Sequence, residues 1–145
     1  MAAAERYVLR AILVDDPEVS RTLALAGEHT LERLHDLLRE AFGWHDDHLY
    51  SFWLSGVFWD EDTEYTSPVE AEPGAQTAAV RLDELGLRPG QTIAYVFDFG
   101  DEWRVELEVL EAGPAAGPLP AILAREGEAP PQYPPPDEDE LGAGD

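Results

Sequence analysis

The sequence predicts an α+β fold: a roll in which a curved antiparallel sheet packs against one or two helices, followed by an extended, acidic, proline-rich C-terminal tail. Three observations lead there. Runs rich in β-branched, aliphatic and aromatic residues recur along the chain, as in Tyr7–Val14 and in the neighbouring runs 93–99 and 103–109. A single segment, Leu31–Phe42, has the 3.6-residue period of an amphipathic helix. From Gly113 onward the composition shifts to Pro, Gly, Ala and acidic residues. The 145 residues suffice for one domain that buries about 70% of the surface of its unfolded chain. Residues 1–125 are expected to form that domain, and 126–145 a flexible tail.

Taken in order, YVLRAILV at Tyr7–Val14 reads as a strand at least half buried, ended by the turn-like Asp15-Asp16-Pro17. RTLALA at Arg21–Ala26 is a second, shorter candidate. In the helix, Leu31, Leu34, Leu37, Leu38, Ala41 and Phe42 fall on one face and Glu32, Arg33, Asp36, Arg39 and Glu40 on the other. Thr30 suits the N-cap, and Gly43 suits the left-handed position that ends a helix. His48–Val57 is expected as a strand, with Tyr50, Phe52 and Leu54 on one face and Leu49 and Trp53 on the other. Residues 60–77 lose periodicity and read as a long exposed loop. Ala79–Leu82 reads as a short strand, Asp83–Leu85 as one helical turn and Arg88-Pro89-Gly90 as a turn. Leu119–Leu123 could dock on the core; from about Gly127 the chain should be extended or disordered, with polyproline character near Pro134–Pro136.

The stretch YVFDFGDEWR at Tyr95–Arg104 poses a register problem. Ile93, Tyr95, Phe97 and Phe99 alternate with smaller or polar residues, as do Trp103, Val105, Leu107 and Val109, so both runs are apolar at odd positions. A two-residue loop would set odd against even positions and place the two apolar faces on opposite sides of the sheet. An odd loop avoids this. The expectation is a bulged hairpin with Tyr95 opposite Trp103, Ile93 opposite Val105, and Gly100 at positive φ.

Composition excludes several function classes. Cysteine is absent, so disulfides, thiolate metal sites and cysteine nucleophiles are ruled out. No stretch approaches the roughly 18–20 apolar residues of a membrane-spanning helix, and the reading is of a soluble cytoplasmic protein with no membrane partner. Thirty-one acidic residues face nine basic ones, all Arg, for a formal charge of −22. The acidity is not confined to the tail, because residues 1–111 alone carry 24 acidic and 8 basic groups. A body of this sign repels phosphate backbones and anionic lipid, so direct nucleic-acid binding is not expected. Solubility or salt adaptation, a basic protein partner and nucleic-acid mimicry remain as three readings of the charge.

Candidate chemistry gathers in two places. Trp44-His45-Asp46-Asp47-His48 offers two imidazoles and two carboxylates in five residues, and Asp98 and Asp101 could join them if the hairpin tip lies nearby. His45, Asp46, His48, Asp98 and Asp101 are therefore the candidate ligands for a divalent metal, the one cofactor considered. The alternative is capping and turn carboxylates beside solvated histidines. Asp98, Asp101 and Glu102 could also supply acid-base chemistry, against a plainer role for Asp98 as a turn acceptor. Ser20, Ser51, Ser55 and Ser67 lie in no nucleophile elbow, and the chain has no Lys for a phosphate-binding loop. His35, beside the apolar stripe, reads as a packed or rim histidine, and His29 as a neighbour of the cap. Trp44, Trp53, Phe58, Trp59 and Trp103 lack the basic groove that single-strand stacking requires, leaving core packing, an apolar pocket or a protein contact.

The words LERLHDLLREAFGW, HLYSFWL and YVFDFGDEWRVELEVLE, in that order, resemble the plasmid Ri open-reading-frame-three-like family, some of whose members are passengers of insertion elements. The resemblance runs from about Tyr7 to Leu123, and its most specific word is Tyr95–Trp103, with Phe97 where the family has a second Tyr. It implies an α+β roll. The family's His-Leu-His is His48-Leu49-Tyr50 here, so one potential ligand is missing. The family's C-terminal Cys is also absent, and its Pro-Pro-Glu-Asp stretch survives only as a blurred match at 128–131 and 136–139. A resolvase label attached to some members (TnpR-like) conflicts with the charge: recombinases surround the scissile phosphate with basic groups, and this chain is strongly acidic.

The first functional expectation is a non-enzymatic protein-binding or adaptor module, monomeric or homodimeric, with a basic partner. A metal-assisted hydrolase or nuclease-like enzyme at the His/Asp cluster comes second, and a nucleic-acid mimic third.

Overall fold

A computed structural model describes residues 4–69 and 71–133. Among these residues seven strands form one antiparallel sheet: β1 (Arg6–Leu13), β2 (Ser20–Ala26), β3 (Tyr50–Trp53), β4 (Glu64–Thr66), β5 (Thr92–Phe97), β6 (Trp103–Gly113) and β7 (Ala121–Glu126). Their spatial order is β4-β3-β5-β6-β1-β2-β7. Among the described residues one α-helix, α1 (Leu31–Phe42), packs on one face, which makes the architecture α+β.

The helix forms where its period places it. The Thr30 hydroxyl accepts from the Arg33 amide at 3.1 Å, and Gly43, at φ 78°, ends the helix in the left-handed region. Leu31, Leu34, Leu37, Leu38, Ala41 and Phe42 are buried against Leu9, Leu23, Leu25, Tyr95, Leu107 and their neighbours on the sheet. Period-two alternation works equally well on β6, where Val105, Leu107 and Val109 are buried between exposed Arg104, Glu106 and Glu108.

Four expectations are corrected. The strand expected over 48–57 covers only Tyr50–Trp53, because Gly56 (φ 80°) and Trp59 (φ 68°) turn the chain back over the sheet. The loop expected over 60–77 contains β4, which pairs with β3 through Phe52 and Tyr65. Ala79–Leu82 is not a strand: Arg81 makes an isolated bridge to Thr30, and a 3-10 turn begins at Leu82. Leu119–Leu123 does more than dock, since β7 adds an edge strand to β2.

The hairpin has the expected parity but a different register. Phe97 faces Trp103, Tyr95 faces Val105 and Ile93 faces Leu107, which leaves 98–102 as the loop. The left-handed residues are Asp98 (φ 65°) and Glu102 (φ 50°), not Gly100. The reason is local hydrogen bonding. The Asp98 carboxylate accepts from the amides of Gly100 (3.0 Å) and Asp101 (3.3 Å), and the Glu102 amide donates to the Asp98 carbonyl at 2.6 Å. Asp tolerates the left-handed region when its short side chain bonds locally in this way.

The segment 126–133, expected within the flexible tail, packs back on the body. Ala129 touches the main core and the Gln132 side chain is buried. Pro134–Pro136 and the acidic stretch after them lie outside the described residues.

Candidate functional site

Two loops meet at one end of the sheet. The Asp98 amide donates to the Leu49 carbonyl at 2.9 Å, so the β5–β6 hairpin tip is fastened to the start of β3. This pairing carries the His48 imidazole to the Asp98 carboxylate, with Nε2 and Oδ2 3.6 Å apart. His48 Nε2 also lies 2.7 Å from the Tyr133 hydroxyl. The structure thus joins His48 and Asp98, which are fifty residues apart in sequence.

The other three candidates do not join them. His45 is exposed and engaged through its carbonyl, which accepts from Arg39 at 2.6 Å. Asp46 is tied through its backbone: its amide donates to Gln132 Oε1 (3.1 Å) and its carbonyl accepts from Gln132 Nε2 (2.9 Å). Asp101 is exposed on the loop and contributes its amide to the Asp98 turn. Among the described residues, no three His, Asp or Glu side chains converge as a metal would require. Asp98 fills the turn-acceptor role, and His48 with Asp98 could supply two ligands, leaving further positions to water or substrate.

Asp47, which the candidate set omits, is the better connected carboxylate. Its Oδ1 lies 2.8 Å from Nε2 of His35, accepts from the His48 amide and stands 3.6 Å from the Arg39 guanidinium. His35 is 1% exposed, its Nδ1 is 2.7 Å from the Tyr95 hydroxyl, and its ring stacks on Tyr50 with centroids 3.6 Å apart. The chain Tyr95–His35–Asp47 therefore runs from the core to the surface. Burial lowers the His35 pKa, opposed by the Asp47 hydrogen bond and charge. Burial also raises the phenols of Tyr50 and Tyr95. The Tyr50 hydroxyl is buried and makes no hydrogen bond of ordinary geometry, although Ser67 is close enough to favour its ionised form slightly. A cleft of about 340 Å³ opens beside this network, lined by Asp47, His48, Leu49, Ser67 and Val69.

On the opposite face of the sheet, Trp53, Ala94 and Val96 form a small second core covered by Phe58. Trp59 and Phe99 border it, with centroids 6.0 Å apart, and are 51% and 40% exposed. Trp59 packs on Trp53 at 4.9 Å. Asp60, Glu61 and Asp62 follow Trp59 in the chain, and Asp101 and Glu102 follow Phe99, so the aromatic pair stands between two acidic segments.

His35 left a sequence signal, because its place four residues after Leu31 puts it on the buried face of α1. Gln132 and Tyr133 left none, since a lone amide and a lone phenol in a proline-rich stretch do not indicate what they will meet.

No helix among the described residues is long and apolar enough to cross a membrane. The crystal structure of a protein of unknown function, MM3350 from Methanosarcina mazei Go1, has the same fold, with a TM-score of 0.74 and 20% identity over 90% of this chain and 74% of that one. An uncharacterised protein of Sinorhizobium fredii, y4hQ, is 32% identical over 120 residues, 81% of this chain; the match spans 59% of the relative's length. Residues 6–133 match the family described as plasmid pRiA4b ORF-3-like protein, so the chain belongs to that family.

Proposed function

We propose that this domain is a non-enzymatic protein-binding module of plasmid or mobile-element genes, and that Trp59 and Phe99 form its contact surface for a basic partner. The observation that carries the reading is Trp59 itself. A bulky residue at φ 68° is a backbone outlier where glycine would sit without strain, and its ring is half exposed rather than buried in compensation. Aromatic groups beside carboxylates suit Arg or Lys side chains, which gain both a ring face and a counter-charge. The formal charge of −22 supports a basic partner of matching sign and a fast, salt-sensitive encounter.

The test is titration of the protein with a defined Arg-rich peptide, followed by tryptophan fluorescence at low and high salt. Wild type should bind with an affinity that falls as salt rises, and Trp59→Ala and Phe99→Ala should each weaken binding about tenfold or more. Equal binding by both variants would sink the reading.

A second reading, a metal-assisted hydrolase, is supported by the 3.6 Å approach of His48 and Asp98 and by the adjoining cleft. Calorimetry with Zn²⁺, Mn²⁺ and Mg²⁺ tests it directly. Micromolar binding that both His48→Ala and Asp98→Ala abolish would favour the enzyme, and its absence would remove it.

A further inference from the structure

We propose that His48 Nε2, Asp98 Oδ2 and the Tyr133 hydroxyl are three ligands of one metal ion, and that the ion is hard and trivalent, with ferric iron the fitting case. The inference rests on the second reading above for the pair His48 and Asp98. The third ligand and the class of ion go beyond that reading, and no hydrolytic activity is required.

The three groups come from separate segments, and each is anchored by bonds that spare its ligating atom. The His48 amide donates to Asp47 Oδ1 at 2.9 Å, and the ring stands edge-on to Phe97 with centroids 5.7 Å apart. The Asp98 amide donates to the Leu49 carbonyl, while Asp98 Oδ1 accepts from the amides of Gly100 and Asp101. Gln132, 8% exposed, exchanges two hydrogen bonds with the Asp46 backbone and so fixes the residue next to Tyr133. Ligands held in advance in this way lose little freedom when an ion arrives.

The atoms left over by these anchors face one another. Asp98 is 9% exposed, and among the described residues its Oδ2 accepts no hydrogen bond; it faces His48 Nε2 across 3.6 Å, beyond hydrogen-bonding distance. The Tyr133 hydroxyl stands 2.7 Å from the same nitrogen. A Tyr–His hydrogen bond accounts for two of the three groups and leaves the Asp98 oxygen without a partner, whereas an ion satisfies all three. Donor atoms about 2.0–2.2 Å from a shared ion lie about 2.8–3.5 Å from one another, so separations of 2.7 and 3.6 Å need only a small side-chain adjustment. Asp46 and Asp101 also lie within electrostatic reach of the phenol and add to the negative potential there.

Donor chemistry selects the ion. A carboxylate oxygen, a phenol oxygen and one imidazole nitrogen, in a chain without any thiolate, suit a hard ion over a soft one. The phenol coordinates as its anion: the metal–oxygen bond forms, the O–H bond breaks, and the proton passes to solvent. A trivalent charge favours that exchange far more than a divalent one, and water completes the coordination shell.

The experiment is titration of the full chain with ferric nitrilotriacetate, read by visible absorption, because iron on a phenolate has a ligand-to-metal charge-transfer band that iron on carboxylates lacks. Wild type should develop the band and saturate at a single iron per chain. Tyr133→Phe should abolish the band and weaken iron binding by at least about tenfold. His48→Ala and Asp98→Asn should each weaken binding by as much; Asn keeps an oxygen for the turn amides, so the hairpin survives while the anionic ligand is lost. A band that persists in Tyr133→Phe, or an affinity that any one of the three substitutions leaves unchanged, would overturn the proposal, since the iron would then sit on another tyrosine or on surface carboxylates. Divalent binding that needs His48 and Asp98 but not Tyr133, with no band from iron, would overturn the third ligand and the ferric ion and leave the second reading standing. No metal bound through His48 and Asp98 would remove both.

Discussion

The two faces of strands β3 and β5 use aromatic residues in opposite ways. Toward α1, Tyr50, Phe52, Tyr95 and Phe97 are sealed, with Phe97 stacked on Trp44 at 4.8 Å and Tyr95 bonded to His35. Away from α1 the apolar side chains of the same strands are Trp53, Ala94 and Val96, and the rings beside them, Trp59 and Phe99, stay half in water. Alternation assigns one set to the fold and leaves the other for contact, so substitutions on the two faces should separate stability from binding.

Phe97→Ala should break the inner face most, lowering unfolding free energy by about 3–5 kcal/mol in denaturant titration, because the Trp44 stack and the β3–β5 packing lose their shared ring. A cost below about 1 kcal/mol would mean that the inner stack is not the main support of the fold.

His35→Ala should cost about 2–3 kcal/mol, since it opens a cavity and leaves Tyr95 without its partner. It should also change the pH profile. The folded pKa of His35 is lowered by burial, so the unfolded chain binds the proton more readily; the neutral ring's contribution is complete above about 6.5 and is lost as pH falls through the folded value. Thermal melts between pH 8 and 4 should therefore lose less stability in His35→Ala than in wild type, with carboxylate titration common to both.

Tyr50→Phe sharpens the comparison from the other side. Deleting a buried hydroxyl whose neighbour Ser67 lies outside ordinary hydrogen-bond geometry should raise stability by about 1 kcal/mol, and a drop would show that the two are bonded in solution. On the outer face, Trp59→Ala should change stability by less than about 1 kcal/mol, because about half of the ring already stands in water and only its contact with Trp53 is lost, while the Cβ strain at positive φ is the same for both residues. A large loss would make Trp59 part of the fold rather than of a contact surface.

Legibility followed the range of the interaction. The helix, its Thr30 and Gly43 caps and the odd-to-odd parity of the hairpin were readable, because each depends on residues within a few positions of one another. The hairpin register slipped by a pair, since Asp98 bonds its own loop and makes Gly100 unnecessary as the left-handed residue. In the candidate cluster, residue types alone could not distinguish Asp46 from Asp47. One meets Gln132 through its backbone and the other meets His35 through its carboxylate.

Periodicity, capping and composition determined by themselves an α+β chain with a helix at Leu31–Phe42, a β-rich body and an acidic balance of charge, because propensity, hydrophobic pattern and charge are properties of short windows. Only the tertiary structure decided that His48 meets Asp98, that His35 links Tyr95 to Asp47, and that residues 128–133 return to the body beside Trp103. Each of these contacts joins segments distant in sequence or depends on how a loop packs, and loop closure costs too little to mark in advance which distant segments will meet.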